Sequence, residues 1–125
     1  MSYRITIAAG SVTLEAELND SPTAQMIREA LPIAGQANTW GDEIYFRIPV
    51  QAEKAPDARA DVGVGELGYW PVGEAFCIFF GPTPASTSDR PRAASPVNIV
   101  GRVLGDAVQL RQVPAGARVV LERDG

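Results

Sequence analysis

Residues 65–81 read GELGYWPVGEAFCIFFG and indicate the fold class of the chain. The stretch holds five of the nine aromatic residues, in two runs whose residue types favour β-strands. Pro71 and Gly73 lie between the two runs, where their conformational preferences suit a change of direction. The pattern predicts two antiparallel strands joined by a short turn, or one sharply bent strand pair.

Alternation of apolar and polar residues extends the strand prediction to both ends of the chain. Residues 3–18 alternate on either side of Gly10, which predicts an antiparallel hairpin with one solvent-facing side. Ser21 and Pro22 predict the start of one short helix, and Pro32 predicts its end. Further strands are predicted at residues 44–48, where Pro49 ends the alternation, and at residues 97–104 and 119–121.

Segments rich in Gly, Pro or polar residues separate these elements. Residues 33–42, 51–61 and 82–96 are predicted to be loops, and a weak second helix is predicted near Ala107–Arg111. No internal repeat and no linker divides the 125 residues, so one domain over residues 1–125 is expected. Many short strands with few helices favour a mainly β fold, a closed or nearly closed barrel.

Composition excludes several classes of function. The net charge is −4 and no basic run exists, so a nucleic-acid partner is not expected. The absence of His removes Ser–His catalysis and His-based metal sites, and we predict neither a metal nor a cofactor. The start of the chain lacks a signal-peptide pattern and no apolar run could span a membrane, which predicts a cytoplasmic protein. The single Cys77, within an apolar run, is expected to be a buried thiol.

Two further patterns favour structure over chemistry. Residues 63–68, GVGELG, match a dinucleotide fingerprint, but Tyr-Trp-Pro follows where that motif needs a helix. The carboxylates of Asp42, Glu43, Glu66 and Glu74 are predicted to be solvated charges, because adjacent strand residues point to opposite faces.

Large aromatic side chains in a small β domain either fill the core or line a recognition groove. For each such residue the core is the commoner place. Tyr69 and Trp70 are the better groove candidates, because each carries a polar atom suited to a half-exposed position.

Four segments in this order resemble the cyclophilin-like family of small bacterial and archaeal proteins. They are residues 38–46 (NTWGDEIYF), 68–71 (GYWP), 79–84 (FFGPTP) and 95–101 (SPVNIVG), which together extend over much of the chain. The resemblance implies a closed eight-stranded antiparallel barrel with one or two short helices.

The resemblance also implies a site. Residues 45–49, YFRIP, align with the cyclophilin strand Phe-His-Arg-Val/Ile-Pro, which places Arg47 where the catalytic arginine polarises the prolyl amide. The cyclophilin run Met-x-Gln-Gly-Gly-Asp has no counterpart here, and residues 51–61 stand in its place. The residues implied to bind a ligand are Tyr45, Tyr69, Trp70, Phe79 and Phe80.

Three hypotheses about function follow. The first, which we favour, is a binding module whose groove takes a Pro-containing peptide or a small apolar ligand without turnover. The alternative is a peptidyl-prolyl cis-trans isomerase in which Arg47 acts on the slow Xaa–Pro rotation. The third is that the aromatic face forms a homo-oligomer contact.

Overall fold

The computed structural model describes residues 2–124, which form ten β-strands, one α-helix and one 3₁₀ helix. The α-helix α1 is Pro22–Ala30 and the 3₁₀ helix is Ala107–Gln112. The strands are β1 (Tyr3–Ala9), β2 (Val12–Leu18), β3 (Ile33–Gln36), β4 (Asn38–Thr39), β5 (Glu43–Arg47), β6 (Arg59–Asp61), β7 (Glu66–Trp70), β8 (Ala75–Phe79), β9 (Arg92–Val103) and β10 (Arg118–Arg123). The fold is therefore mainly β with few helices, as predicted.

Nine of the strands follow one another in the order β3-β10-β1-β2-β9-β7-β8-β5-β4, and every pair of neighbours is antiparallel. Only Ala37 separates the two end strands along the chain, yet β3 pairs with β10 and β4 with β5. No ladder among residues 2–124 joins β3 to β4, so the sheet is open. The predicted closed eight-stranded barrel is wrong in both closure and strand number.

The sheet curls around its main core without closing. Along each strand alternate residues face this core, which includes Ile5, Ile7, Phe46 and Leu121, all at most 1% exposed. Gly35 of β3 lies against the ring of Phe46 in β5, where an added Cβ would stand 2.7 Å from Cδ2. Side-chain packing, rather than backbone pairing, thus brings the two ends of the sheet together.

The helix begins and ends where the sequence predicts. Ser21 is the N-cap, with its hydroxyl accepting from the Ala24 N–H at 3.3 Å, and Pro22 opens the helix. Thr23, Ala24 and Ile27 are its buried residues. No helix of the described chain is long and apolar enough to span a membrane.

The loop predictions are partly wrong. Residues 33–42 contain β3 and β4, because Gly35 marks a close approach to Phe46 rather than a turn. The Pro-rich segment 82–96 was predicted to be loop, but β9 begins within it at Arg92. The N-terminal half of β9 pairs with β6, which lies within the second predicted loop, residues 51–61. The predicted second helix is the 3₁₀ helix.

Strand β9 serves two layers. Its C-terminal half pairs with β2 and β7 in the main sheet, and its N-terminal half pairs with β6 outside that sheet. A second, smaller apolar cluster lies between these layers and includes Val62, Cys77, Phe79, Ala93 and Val97. The outer face of the sheet is therefore partly covered where β7, β8 and β5 run side by side.

Gly101 permits the pairing of β2 with β9, where it is opposite Leu18. An added Cβ would collide with the backbone carbonyl oxygen of Glu17, which no side-chain rotation can relieve. We expect Gly101→Ala to lower the free energy of unfolding by about 3 kcal/mol, as overpacking of a close contact does. Gly105→Ala is the matched control, because its Cβ would meet only Leu14 Cδ2 at 3.7 Å. Urea unfolding measures both variants, and equal losses of stability would contradict this account of the β2–β9 contact.

Candidate functional site

An apolar cavity of about 200 Å³ lies on the outer face of the sheet, beside the smaller apolar cluster. The residues around it are mostly aromatic or small, with one carboxyl group and one thiol among them. They are Trp40, Glu43, Tyr45, Trp70, Cys77, Ala93, Ala94 and Val97.

The floor and one wall of this outer-face cavity come from the alternation of β5 and β8. Ile44 and Phe46 face the main core, so Glu43 and Tyr45 face outward. The two strands pair with Tyr45 opposite Cys77, which brings the thiol to the same face.

The other walls come from β7 and β9. Ala93 and Val97 belong to the N-terminal half of β9, which lies over the outer face. The Trp70 indole N–H donates to the Ser95 hydroxyl at 2.6 Å and so ties β7 to this covering segment. The Tyr45 and Trp70 rings meet edge to face, with centroids 6.5 Å apart and planes at 78°. Both rings are half-buried and Ala94 is exposed, so the outer-face cavity opens to solvent here.

A tight turn between β4 and β5 places Trp40 and Glu43 at the same end of the cavity. The Trp40 N–H donates to the Glu43 carbonyl at 3.0 Å, and Gly41 adopts a φ of +59° between them. A Cβ at Gly41 would stand 2.8 Å from Thr83 Cα, so the turn needs glycine for space as well as for φ.

The Glu43 carboxyl is the unusual group of the site. The residue is only 6% exposed, and its Oε1 is a buried atom without a hydrogen-bond partner in the described chain. Burial raises the pKa of Glu43 from 4.5 to about 7, and a hydrogen bond from Cys77 opposes this shift. A carboxyl in this range exchanges its proton near neutral pH.

Cys77 is buried, as predicted. Burial raises the pKa of its thiol well above the ordinary value, and the nearby Glu43 carboxylate raises it further. The thiol is therefore protonated at neutral pH and contributes a weak donor rather than a nucleophile. Residues 2–124 contain no group of three or more His, Cys, Asp or Glu that could hold a metal ion.

Arg47 lies on the outward side of β5, two residues beyond Tyr45, but it does not line the outer-face cavity. Its guanidinium donates to Glu74 Oε1 at 2.6 Å, and its side chain is 78% exposed. The predicted catalytic arginine thus points into solvent with a carboxylate partner.

The five residues predicted to bind a ligand are divided between the two faces of the sheet. Tyr45 and Trp70 line the cavity, and Phe79 is buried in the smaller cluster beside it. Tyr69 and Phe80 belong to the main core. Tyr69 is fully buried, with its hydroxyl donating to the Val50 carbonyl at 2.7 Å, and is not half-exposed as predicted.

Sequence reasoning missed Glu43 as a site residue. The Asp42 carboxylate is partly exposed and pairs with Arg111 at 2.8 Å, whereas the prediction of a solvated charge is wrong for its neighbour Glu43, which is buried. The signal available in the sequence was the spacing of two residues between Glu43 and Tyr45, which places both on one strand face, whereas the pairing of Glu43 opposite the apolar Phe79 is visible only in the structure. A carboxylate among such neighbours is expected to be desolvated.

Comparisons with known proteins give these findings. The model of the family described as cyclophilin-like matches residues 3–122. The hypothetical protein AF2241 from Archaeoglobus fulgidus has a solution structure that is similar at a TM-score of 0.83 and 41% identity, covering 98% of this chain and 95% of that chain. McbB in complex with tryptophan is similar at a TM-score of 0.69 and 16% identity, a likeness of fold alone, and covers 97% of this chain and 45% of that chain. No curated protein matches the chain.

Replacement of Glu43 by Gln tests the burial of the carboxyl. Because the folded-state pKa of about 7 is above the ordinary 4.5, the folded protein favours the protonated group. The stability that this preference contributes is complete below pH 4.5 and is lost as pH rises through 7. The full difference corresponds to about 3 kcal/mol. Urea unfolding of the wild type between pH 5 and 8 should therefore show a fall in stability that Glu43→Gln lacks, and parallel pH profiles would contradict the burial.

Proposed function

This chain belongs to the cyclophilin-like family, and we propose that it binds a small ligand in its outer-face cavity. The observation that carries the proposal is the cavity itself, an apolar space open to solvent and walled by Trp40, Tyr45 and Trp70. Small-molecule sites have this character: mostly apolar and aromatic walls with a few placed polar groups. Glu43 is such a group.

The volume limits the ligand. A cavity of about 150 Å³ accommodates benzene, so about 200 Å³ has room for a small aromatic ring system of one or two fused rings, or for a compact branched group. Drug-sized ligands occupy larger pockets, of about 300–1,000 Å³. This supports a small ligand, or one side chain, over the burial of an extended Pro-containing peptide.

The affinity scale follows from the surface that such a ligand would bury. About 150 Å² of apolar surface, as for an aromatic side chain, gives about 4 kcal/mol at about 25 cal/mol per Å². This corresponds to a dissociation constant near 1 mM for an unoptimised probe. McbB is described in complex with tryptophan, which makes indole a suitable ring-bearing probe.

The alternative function is peptidyl-prolyl isomerisation. In its favour, Arg47 shares the outward side of β5 with Tyr45. Against it, the Arg47 guanidinium is paired with Glu74, while Tyr69 and Phe80 are packed in the main core rather than beside the arginine. Binding without turnover is therefore the better-supported proposal.

The remaining inferences from sequence stay predictions. These are the cytoplasmic location, the absence of a nucleic-acid partner and self-association through the aromatic face. If the outer face formed an oligomer contact, Trp40, Tyr45 and Trp70 would be covered, and ligand binding would compete with self-association.

Indole binding tests the proposed function directly. Trp40 and Trp70 are the only tryptophans of the chain and both line the outer-face cavity, so their two indole N–H signals in the NMR spectrum report on it. We expect both signals to shift with a millimolar midpoint in the wild type. Ala94→Phe, at the exposed mouth, should abolish the shifts by filling the space. Ala34→Phe makes the same change at an exposed strand position away from the cavity and should bind as the wild type does. Unchanged tryptophan signals at saturating indole would refute the proposal.

Arg47→Ala tests the alternative. We expect the wild type and the variant to leave the cis/trans exchange of a short Ala-Pro peptide equally slow, because the guanidinium is held by Glu74. Exchange spectroscopy by NMR measures both rates. Acceleration by the wild type that Arg47→Ala removes would instead establish the isomerase.

A further inference from the structure

We propose that the outer-face cavity is an aromatic cage for a compact organic ammonium cation, with Glu43 as the counter-charge. The inference rests on the proposed binding function and names the chemical class of its ligand. It depends on the three aromatic walls, on the buried Glu43 Oε1 that has no hydrogen-bond partner in the described chain, and on the absence of any basic lining residue.

The aromatic walls suit a cation. An ammonium group is attracted to the face of Trp or Tyr when it lies within about 6 Å of the ring centroid, and aromatic cages recognise methylated ammonium groups in this way. Tyr45 and Trp70 stand nearly perpendicular at 6.5 Å and form a corner, and Trp40 is the third aromatic side chain of the cavity. Edge-to-face packing is also the usual arrangement of neighbouring aromatic rings, so the preference for a cation over an apolar ligand comes from the carboxyl beside them.

The carboxyl group selects the sign of the charge. None of the eight lining residues is Lys or Arg, and no ion pair found among residues 2–124 includes Glu43. A buried carboxyl oxygen without a partner destabilises the folded protein, so such an atom normally has a hydrogen-bond partner or serves a function. A bound ammonium cation supplies both the missing charge and, when it carries an N–H, the missing donor.

The same lining excludes other ligand classes. A carboxylate or phosphate in the cavity would lie near Glu43 with no basic side chain to offset the repulsion. Free amino acids and nucleotides therefore do not fit with their anionic groups inside. The volume of about 200 Å³ fits an ammonium centre with its methyl groups, and a longer substituent would leave through the mouth at Ala94.

Two sources could supply this chemistry: a free methylated amine, or the methylated lysine side chain of another protein. Both present the same ammonium centre to the cage. They differ in what lies outside the mouth, where a peptide would add contacts around the exposed Ala94.

The decisive comparison is between choline and its uncharged analogue 3,3-dimethyl-1-butanol, which has the same shape. Fluorescence of the two cavity tryptophans follows both titrations. We expect choline to bind the wild type at least tenfold more tightly than the alcohol. In Glu43→Gln this ratio should fall towards one, whereas Glu15→Gln, the same change at an exposed strand carboxylate, should keep it. Trp40→Leu, which removes one wall, should weaken choline binding and leaves Trp70 as the reporter.

Each outcome has a distinct meaning. Equal binding of choline and the alcohol overturns the cation cage but leaves a small-ligand site. If choline, the alcohol and indole all fail to bind, both proposals are overturned. A preference for choline that survives in Glu43→Gln overturns the role of the carboxylate. Finally, tighter binding of a peptide with dimethyl-lysine than of free N,N-dimethylbutylamine, which carries the same tertiary ammonium centre, supports the cage with a protein side chain as its source. The reverse order supports it with a free amine.

Discussion

The pairing of β5 with β8 is the constraint on which the site and the core both depend. Its register sets Ile44 opposite Ile78 and Phe46 opposite Phe76 on the core side. The alternate residues of both strands must then face outward, and these include Glu43, Tyr45 and Cys77. A shift of one residue would bury the carboxyl in the main core and expose the phenylalanines, so the packing of the core fixes the composition of the cavity.

The second requirement is the covering layer. Without the N-terminal half of β9, the outward residues of β5 and β8 would form an exposed patch rather than a cavity. The hydrogen bond from Trp70 to Ser95 and the pairing of β6 with β9 hold that cover in place. The Glu43 carboxyl is desolvated because the main sheet and the covering half of β9 enclose it. Desolvation of this group destabilises the folded protein, and the apolar burial in the main core offsets that loss.

Local patterns predicted the two hairpins, the helix and the last strand, but neither β3, β4 and β6 nor how the sheet ends. The hairpins and the start of the helix at Ser21-Pro22 are determined by residues close together in the chain, so they can be predicted from the sequence. Whether the sheet closes depends on how β3 and β4 pair across Ala37, and no local signal carries this information. Residues 33–36 were predicted to be loop for a related reason, since the role of Gly35 is set by the ring of Phe46 in another strand.

The site was predictable only in part, because some of its features also depend on contacts between residues that are distant in sequence. The aromatic character of Tyr45 and Trp70 was enough to predict them as site residues. Tyr69 is adjacent to Trp70 in β7, so the alternation of the strand points its side chain into the main core instead. The family resemblance directed attention to Arg47, whereas the desolvated group is Glu43, four residues earlier on the same strand face. Its burial comes from Phe79 and β9, which are distant in sequence, so it looked like an ordinary charged residue beside Asp42.

The most direct measurement is the titration of the Glu43 side-chain carboxyl by ¹³C NMR, in the free protein and with saturating choline. The account predicts a midpoint near pH 7 in the free protein, which choline lowers by stabilising the ionised form. A midpoint at the ordinary value of 4.5 in the free protein would show that the carboxyl is hydrated, and would contradict the account of the cavity.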